Sequence, residues 1–127
     1  MNVLFVMIGG FLGACCRYLL GEFTPTPHGF PVGTLTVNLI GCLCLGWLLS
    51  FLANQKNRNL KISLLFGTGF IGSFTTFSTF SVEVVQLLQE GKFGISVLYV
   101  LTSLFVGLVL SYAGYRLANF RKLGEES

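Results

Sequence analysis

The stretch "GFIGSFTTFSTFS", Gly69–Ser81, decides how the rest of the chain is read. It sits inside a run that is otherwise apolar enough for hydrocarbon. Yet it carries Gly69 and Gly72, hydroxyls at Ser73, Thr75, Thr76, Ser78 and Thr79, and rings at Phe70, Phe74, Phe77 and Phe80. A helix opened by glycines at membrane depth frees backbone groups that lipid cannot satisfy. Such breaks occur where they line a cavity or hold an ion. The plainer alternative is a helix kinked for packing. At a break, the upstream half offers carbonyl oxygens to a cation, and the downstream half offers N–H groups to an anion.

Outward from this stretch, the chain resolves into membrane spans of roughly 20 apolar residues each. Four qualify, at about 3–21, 32–53, 62–89 and 93–117. The expectation is an all-α membrane protein, one domain over 1–127, with its third helix broken near the centre. The composition agrees: 127 residues are 53% hydrophobic and only 10% charged, with a mean hydropathy of +0.76. A soluble domain this small could not cover so much apolar surface.

The linkers are "EFTPTPHGFP" (Glu22–Pro31), "NQKNRNL" (Asn54–Leu60) and "EGK" (Glu90–Lys92). The first, with three prolines, is a true break, and its lone His28 reads as an exposed loop residue. The third is so short that spans three and four must form an antiparallel hairpin. An even number of spans puts both termini on one side. That side carries Lys56, Arg58, Lys61, Arg116, Arg121 and Lys122, and the other carries Arg17 and Lys92. Six against two predicts cytoplasmic termini. The basic residues cluster at span ends, as headgroup anchors do, and form no nucleic-acid patch.

"LGAC" (Leu12–Cys15) looks like the end of a lipoprotein leader. However, "MNVLFVMIGG" has no basic residue ahead of its apolar stretch, so a retained helix is expected. Cys15, Cys16, Cys42 and Cys44 all fall in apolar runs without metal-ligand spacing, and read as small packing residues.

Three spans carry a polar stripe on an apolar body. Residues three and four apart share a helical face. Thr34, Asn38 and Cys42 form one row, and Tyr99, Ser103, Gly107 and Ser111 another. Beyond the break, Phe77 and Phe80 lie on one side, with Thr76, Thr79 and Glu83 beside them. Taken singly, Ser and Thr in such helices often bond back to their own carbonyls. A buried amide such as Asn38 needs partners. Glu83 reads equally as a snorkelling end residue or a functional one, and Arg17 as an anchor or a vestibule charge. No nucleophile–base pair, metal-ligand cluster or phosphate loop is present, so no enzyme is expected. Hydroxyl and amide donors without a ring of carboxylates argue against a cation path. Aromatic edges are positive, and with those donors they can replace the water around a small anion. The residues alone point to a pathway for a small polar or anionic solute.

"GGFLGACCRY" (Gly9–Tyr18), "GTLTVN" (Gly33–Asn38) and "GFIGSFTTFSTFSVE" (Gly69–Glu83) resemble the signature blocks of the Fluc (CrcB-type) fluoride channels, in the family's order. The resemblance implies a small, dual-topology, antiparallel homodimer in the bacterial inner membrane, with two fluoride pores at the subunit interface. These channels let fluoride leave the cytoplasm passively. It further implies Phe77 and Phe80 as ring-edge fluoride contacts and Asn38 as a pore-lining donor with Thr34 nearby. Ser78, Thr79 and Ser81 would be further hydroxyl donors, and Tyr99, Ser103 and Ser111 a polar row along the pathway. Arg17 would sit at the aqueous vestibule. A structural sodium ion would be held by the backbone carbonyls of Gly72 and Thr75. The charge bias leaves open a second arrangement, one half of a pair of oppositely oriented subunits. A different class, the proton-coupled small multidrug exporters, shares the length and span count but needs a membrane-embedded carboxylate, which Met1–Gly21 lacks.

Overall fold

The computed structural model describes residues 2–24, 29–54 and 59–123, with side chains through Asn119. His28, Lys56 and Arg58 lie outside the described residues. Helix α1 is Asn2–Phe23 and α2 is Val32–Ala53. The short α3, Leu60–Ile62, runs directly into a π-helical stretch, Ser63–Ile71, and then α4, Gly72–Phe74. After Thr75 and Thr76 the chain re-enters helix as α5, Phe77–Gln89, followed by α6, Phe93–Leu123.

Four segments are long and apolar enough to cross a membrane: Asn2–Phe23, Val32–Ala53, Leu60–Gln89 and Phe93–Asn119. They are the four expected from the sequence. The ends extend because helix continues past the last strongly apolar residue. At Leu60, for example, the Asn59 side chain accepts from the Lys61 backbone N–H at 3.2 Å and starts the helix ahead of its apolar run.

The α5–α6 turn follows from one glycine. Gly91 has φ +74°, a conformation that costs glycine little. This allows Gly91 N–H to reach the Leu88 carbonyl and Lys92 N–H to reach that of Leu87, at 3.1 and 2.9 Å. Two orphan carbonyls of α5 are thereby satisfied in a Schellman closure, and α6 returns antiparallel.

In lipid, association of helices depends on close packing more than on burial of apolar area, so small residues sit at crossings. Helix α2 packs on α6, and α1 on the π-helical stretch. A side chain at Gly46 would run into the Ser111 carbonyl of α6, and one at Gly114 into the Leu43 carbonyl of α2. On the other side, Gly9 faces the Leu65 carbonyl and Gly13 that of Phe70. The π stretch bonds i to i+5, with Gly72 N–H on the Gly67 carbonyl. Its wider backbone fits because α1 presents no side chains there. Leu48, Leu52 and Ile71 form a buried apolar cluster, with Phe51 and Phe70 packed against it.

Candidate functional site

The break is built from two extended residues. Thr75 has φ −77° and ψ 152°, and Thr76 has φ −144° and ψ 121°. Thr75 keeps its helical bond, donating to the Ile71 carbonyl from its N–H at 3.0 Å and also from its Oγ1 at 2.9 Å. The Thr76 N–H donates to Asn38 Oδ1 at 2.8 Å, while Asn38 Nδ2 donates to the Thr76 carbonyl at 3.0 Å. One amide side chain thus completes both edges of one residue, as a neighbouring strand would. Thr76 Oγ1 then accepts from Thr79 N–H at 3.2 Å and donates to Thr79 Oγ1 at 3.0 Å, capping α5. Ser78 Oγ lies 3.3 Å from the same oxygen.

This exchange frees carbonyls. In an unbroken helix Thr76 N–H would bond the Gly72 carbonyl, and Thr79 N–H that of Thr75. Both donors have turned to side chains instead. The oxygens of Gly72 and Thr75 lose those helical donors, and as hard, neutral groups they are of the type that would suit an alkali or alkaline-earth cation rather than a thiophilic metal.

Two grooves adjoin the break, and Thr76 is on the wall of both. One, about 360 Å³, is lined by Asn38, Gly41, Thr75, Phe77, Phe80 and Ser103 among others. The other, about 340 Å³, includes Arg17, Glu22, Thr34 and Thr79. Ser103 Oγ is buried and has no hydrogen-bond partner among the described residues. The Asn38 amide has two N–H donors, one of which is taken by Thr76. The Phe77 and Phe80 centroids lie 6.0 Å apart with their planes inclined at 33°. Phe77 is 80% exposed on the isolated chain, so most of its ring faces outward from the subunit.

Several hydroxyls are already committed. Tyr99, fully buried, donates to Glu83 Oε2 at 2.8 Å, and Thr34 Oγ1 donates to Glu83 Oε1 at 2.7 Å. The Phe80 ring lies 5.0 Å from that of Tyr99. Thr34 and Tyr99 therefore spend their protons on a carboxylate. Ser81 Oγ donates back to the Phe77 carbonyl at 2.9 Å. Ser111 lies two turns along α6 from Ser103, against Gly46, and lines neither groove.

The structure thus brings Asn38, Phe77, Phe80 and Ser103 to one groove and Arg17, Thr34 and Thr79 to the next. It adds Thr76, Gly41 and Glu83 to the assembly. Thr76 is legible in hindsight as the cap of α5. Glu83 is one turn beyond Thr79 and is the carboxylate of the third span. Gly41 has no signal in the sequence, because its role depends on what faces it.

Residues 4–115 match the family described as CrcB-like protein, Camphor Resistance (CrcB). A relative from Oceanobacillus iheyensis, named fluoride-specific ion channel FluC, is 54% identical over 127 residues, covering 98% of this chain and 97% of its own length. FluC 1 of Bacillus cereus is 48% identical over 94% of this chain and 85% of its own. FluC 2 of Listeria innocua is 44% identical over 94% and 92%. With a multi-pass helical fold, a capped break in the third span and near-full-length identity to these proteins, the chain belongs to the CrcB family.

Proposed function

We propose that this protein is a passive fluoride channel that lets fluoride out of the cytoplasm. The reading is carried by the full-length similarity to proteins named fluoride-specific channels. The groove at the break is its physical counterpart. Fluoride is small and strongly hydrated, so a pathway must offer close donors in place of water. The second Asn38 N–H, the Ser103 hydroxyl and the positive edges of Phe77 and Phe80 do this without a fixed positive charge that would trap the ion. Arg17, on the wall of the second groove, draws anions toward Thr79 and Thr76. Ser78 adds a hydroxyl at the start of α5.

The role of Thr34 and Tyr99 is indirect in this reading. Both hold Glu83, and Tyr99 in turn supports the Phe80 ring. The carbonyls of Gly72 and Thr75 hold a structural sodium ion, whose charge offsets the dipole end of the upstream half-helix. Phe77 faces outward, as a ring would if a second copy completed the pore. We therefore favour an antiparallel homodimer in the bacterial inner membrane. Export follows from chemistry: hydrogen fluoride enters as a neutral acid, dissociates inside, and leaves as the anion through the channel. The exporter alternative finds no support in α1, which has no carboxylate before Glu22.

The test is efflux from proteoliposomes holding the purified chain. Fluoride should leave electrogenically without a proton gradient, and chloride should stay. Movement of organic cations driven by a proton gradient would overturn the proposal.

A further inference from the structure

Gly41 lies about one turn beyond Asn38 on α2, facing the break. A Cβ placed on it would overlap the Thr75 methyl, with Thr75 Cβ 3.6 Å and Phe74 Cδ1 3.8 Å away. The other branch of Thr75, its Oγ1, is tied to the Ile71 carbonyl at 2.9 Å. A β-branched side chain has few χ1 choices. Here the methyl sits in the notch at Gly41 and the hydroxyl is on Ile71, and exchanging them would break that bond. The next peptide is held as well. It is planar and trans, and its Thr76 N–H points at Asn38 Oδ1. The Thr75 carbonyl, antiparallel to that N–H, must point away from the Asn38 amide.

We infer that Gly41 is a positioning residue for the ion site at the break: by admitting the Thr75 methyl, it lets the break sit close enough to α2 for Asn38 to direct the Thr75 carbonyl. Helix α2 therefore holds the break at two neighbouring points. Asn38 fixes the Thr76 backbone, and Gly41 fixes the rotamer of Thr75. Any side chain at position 41 would push Thr75 off its rotamer or push the break away from α2. The inference deepens the reading of the Gly72 and Thr75 carbonyls as a cation site and rests on it.

The test is a size-complementation cycle in the full-length chain. Gly41→Ala should lower fluoride efflux from proteoliposomes at least about tenfold, as overpacking displaces Thr75. Thr75→Ser removes the colliding methyl and keeps the hydroxyl, and its own efflux is the baseline against which the double variant is read. The double variant Gly41→Ala/Thr75→Ser should recover to within about threefold of Thr75→Ser, the rescue expected once the overpacking is relieved. Wild-type efflux from Gly41→Ala overturns the inference, as does a double variant no better than Gly41→Ala. If Gly41→Ala alone does not fold, the double variant decides by the same threefold criterion. The cycle is also read by thermal unfolding in detergent, which does not depend on transport. There the melting shift of Gly41→Ala should shrink in the Thr75→Ser background, and strictly additive shifts overturn the contact. A wild-type chain that passes no fluoride counts against the channel reading and leaves the unfolding cycle to judge the notch.

Discussion

The two halves of α2 use small residues for different ends. In the second half, Gly46 meets the backbone of α6 at Ser111, and Gly114 returns the contact at Leu43. Backbone lies on backbone there, and the side-chain hydrogen bonds, from Ser50 and Asn54 to Asn119, lie at the far end of the crossing. In the first half, Thr34, Asn38 and Gly41 face Glu83, Thr76 and Thr75 across hydrogen bonds and a notch one methyl deep. The first kind of glycine brings two rods together. The second kind aims a single residue. Substitution should therefore cost folding at one end of the helix and conduction at the other.

The harshest way to probe that division is Gly46→Leu. Its side chain has no exit from the Ser111 carbonyl, and overpacking of this kind costs about 1–3 kcal/mol or more. The variant should give little monodisperse protein on size exclusion. A well-folded Gly46→Leu chain would show that the α2–α6 contact is not the rigid one.

At the other end, Asn38→Asp removes the donor to the Thr76 carbonyl and places a carboxylate in the groove. An unmet buried acceptor costs about 1–3 kcal/mol, and the new charge repels an anion. Fluoride efflux should disappear while the protein still folds with a lowered melting temperature. Loss of folding with no folded fraction left to assay would erase the contrast between the halves.

Phe80→Ile keeps an apolar group and removes the ring edge. Aromatic contacts are worth about 0.5–1.5 kcal/mol beyond burial, so efflux should fall roughly tenfold with little change in unfolding. Unchanged efflux would take that ring out of the pathway. The mildest test is Ser50→Ala, in the second half of α2. It loses one long bond, 3.3 Å to Asn119 Oδ1, while Asn54 Nδ2 keeps its own at 2.7 Å. A melting shift worth less than about 1 kcal/mol is expected, with efflux untouched.

Much of this was legible beforehand because it is local. Runs of some twenty apolar residues state a span regardless of neighbours, and the glycines and threonines of Gly69–Ser81 announce a break in one of them. The pairing of Asn38 with the break was half legible, since a buried amide requires partners but does not say which. The fate of the hydroxyls was not. Ser81 bonds back within α5, Thr34 and Tyr99 converge on Glu83, and Ser103 alone of these four has no partner among the described residues. A hydroxyl can donate in many directions at similar energy, and only the neighbouring helix selects one.

The amino-acid sequence by itself determined the membrane as solvent, the four spans, the hairpin of the last two and the interruption in the third. Each follows from hydrophobic length and backbone chemistry within a short segment. Only the tertiary structure decided that Asn38 completes both edges of Thr76, that Glu83 gathers Thr34 and Tyr99, and that Gly41 is shaped to a methyl on another helix. Those relations join residues 16 to 49 positions apart in the chain, and no periodicity within one helix encodes the face of another.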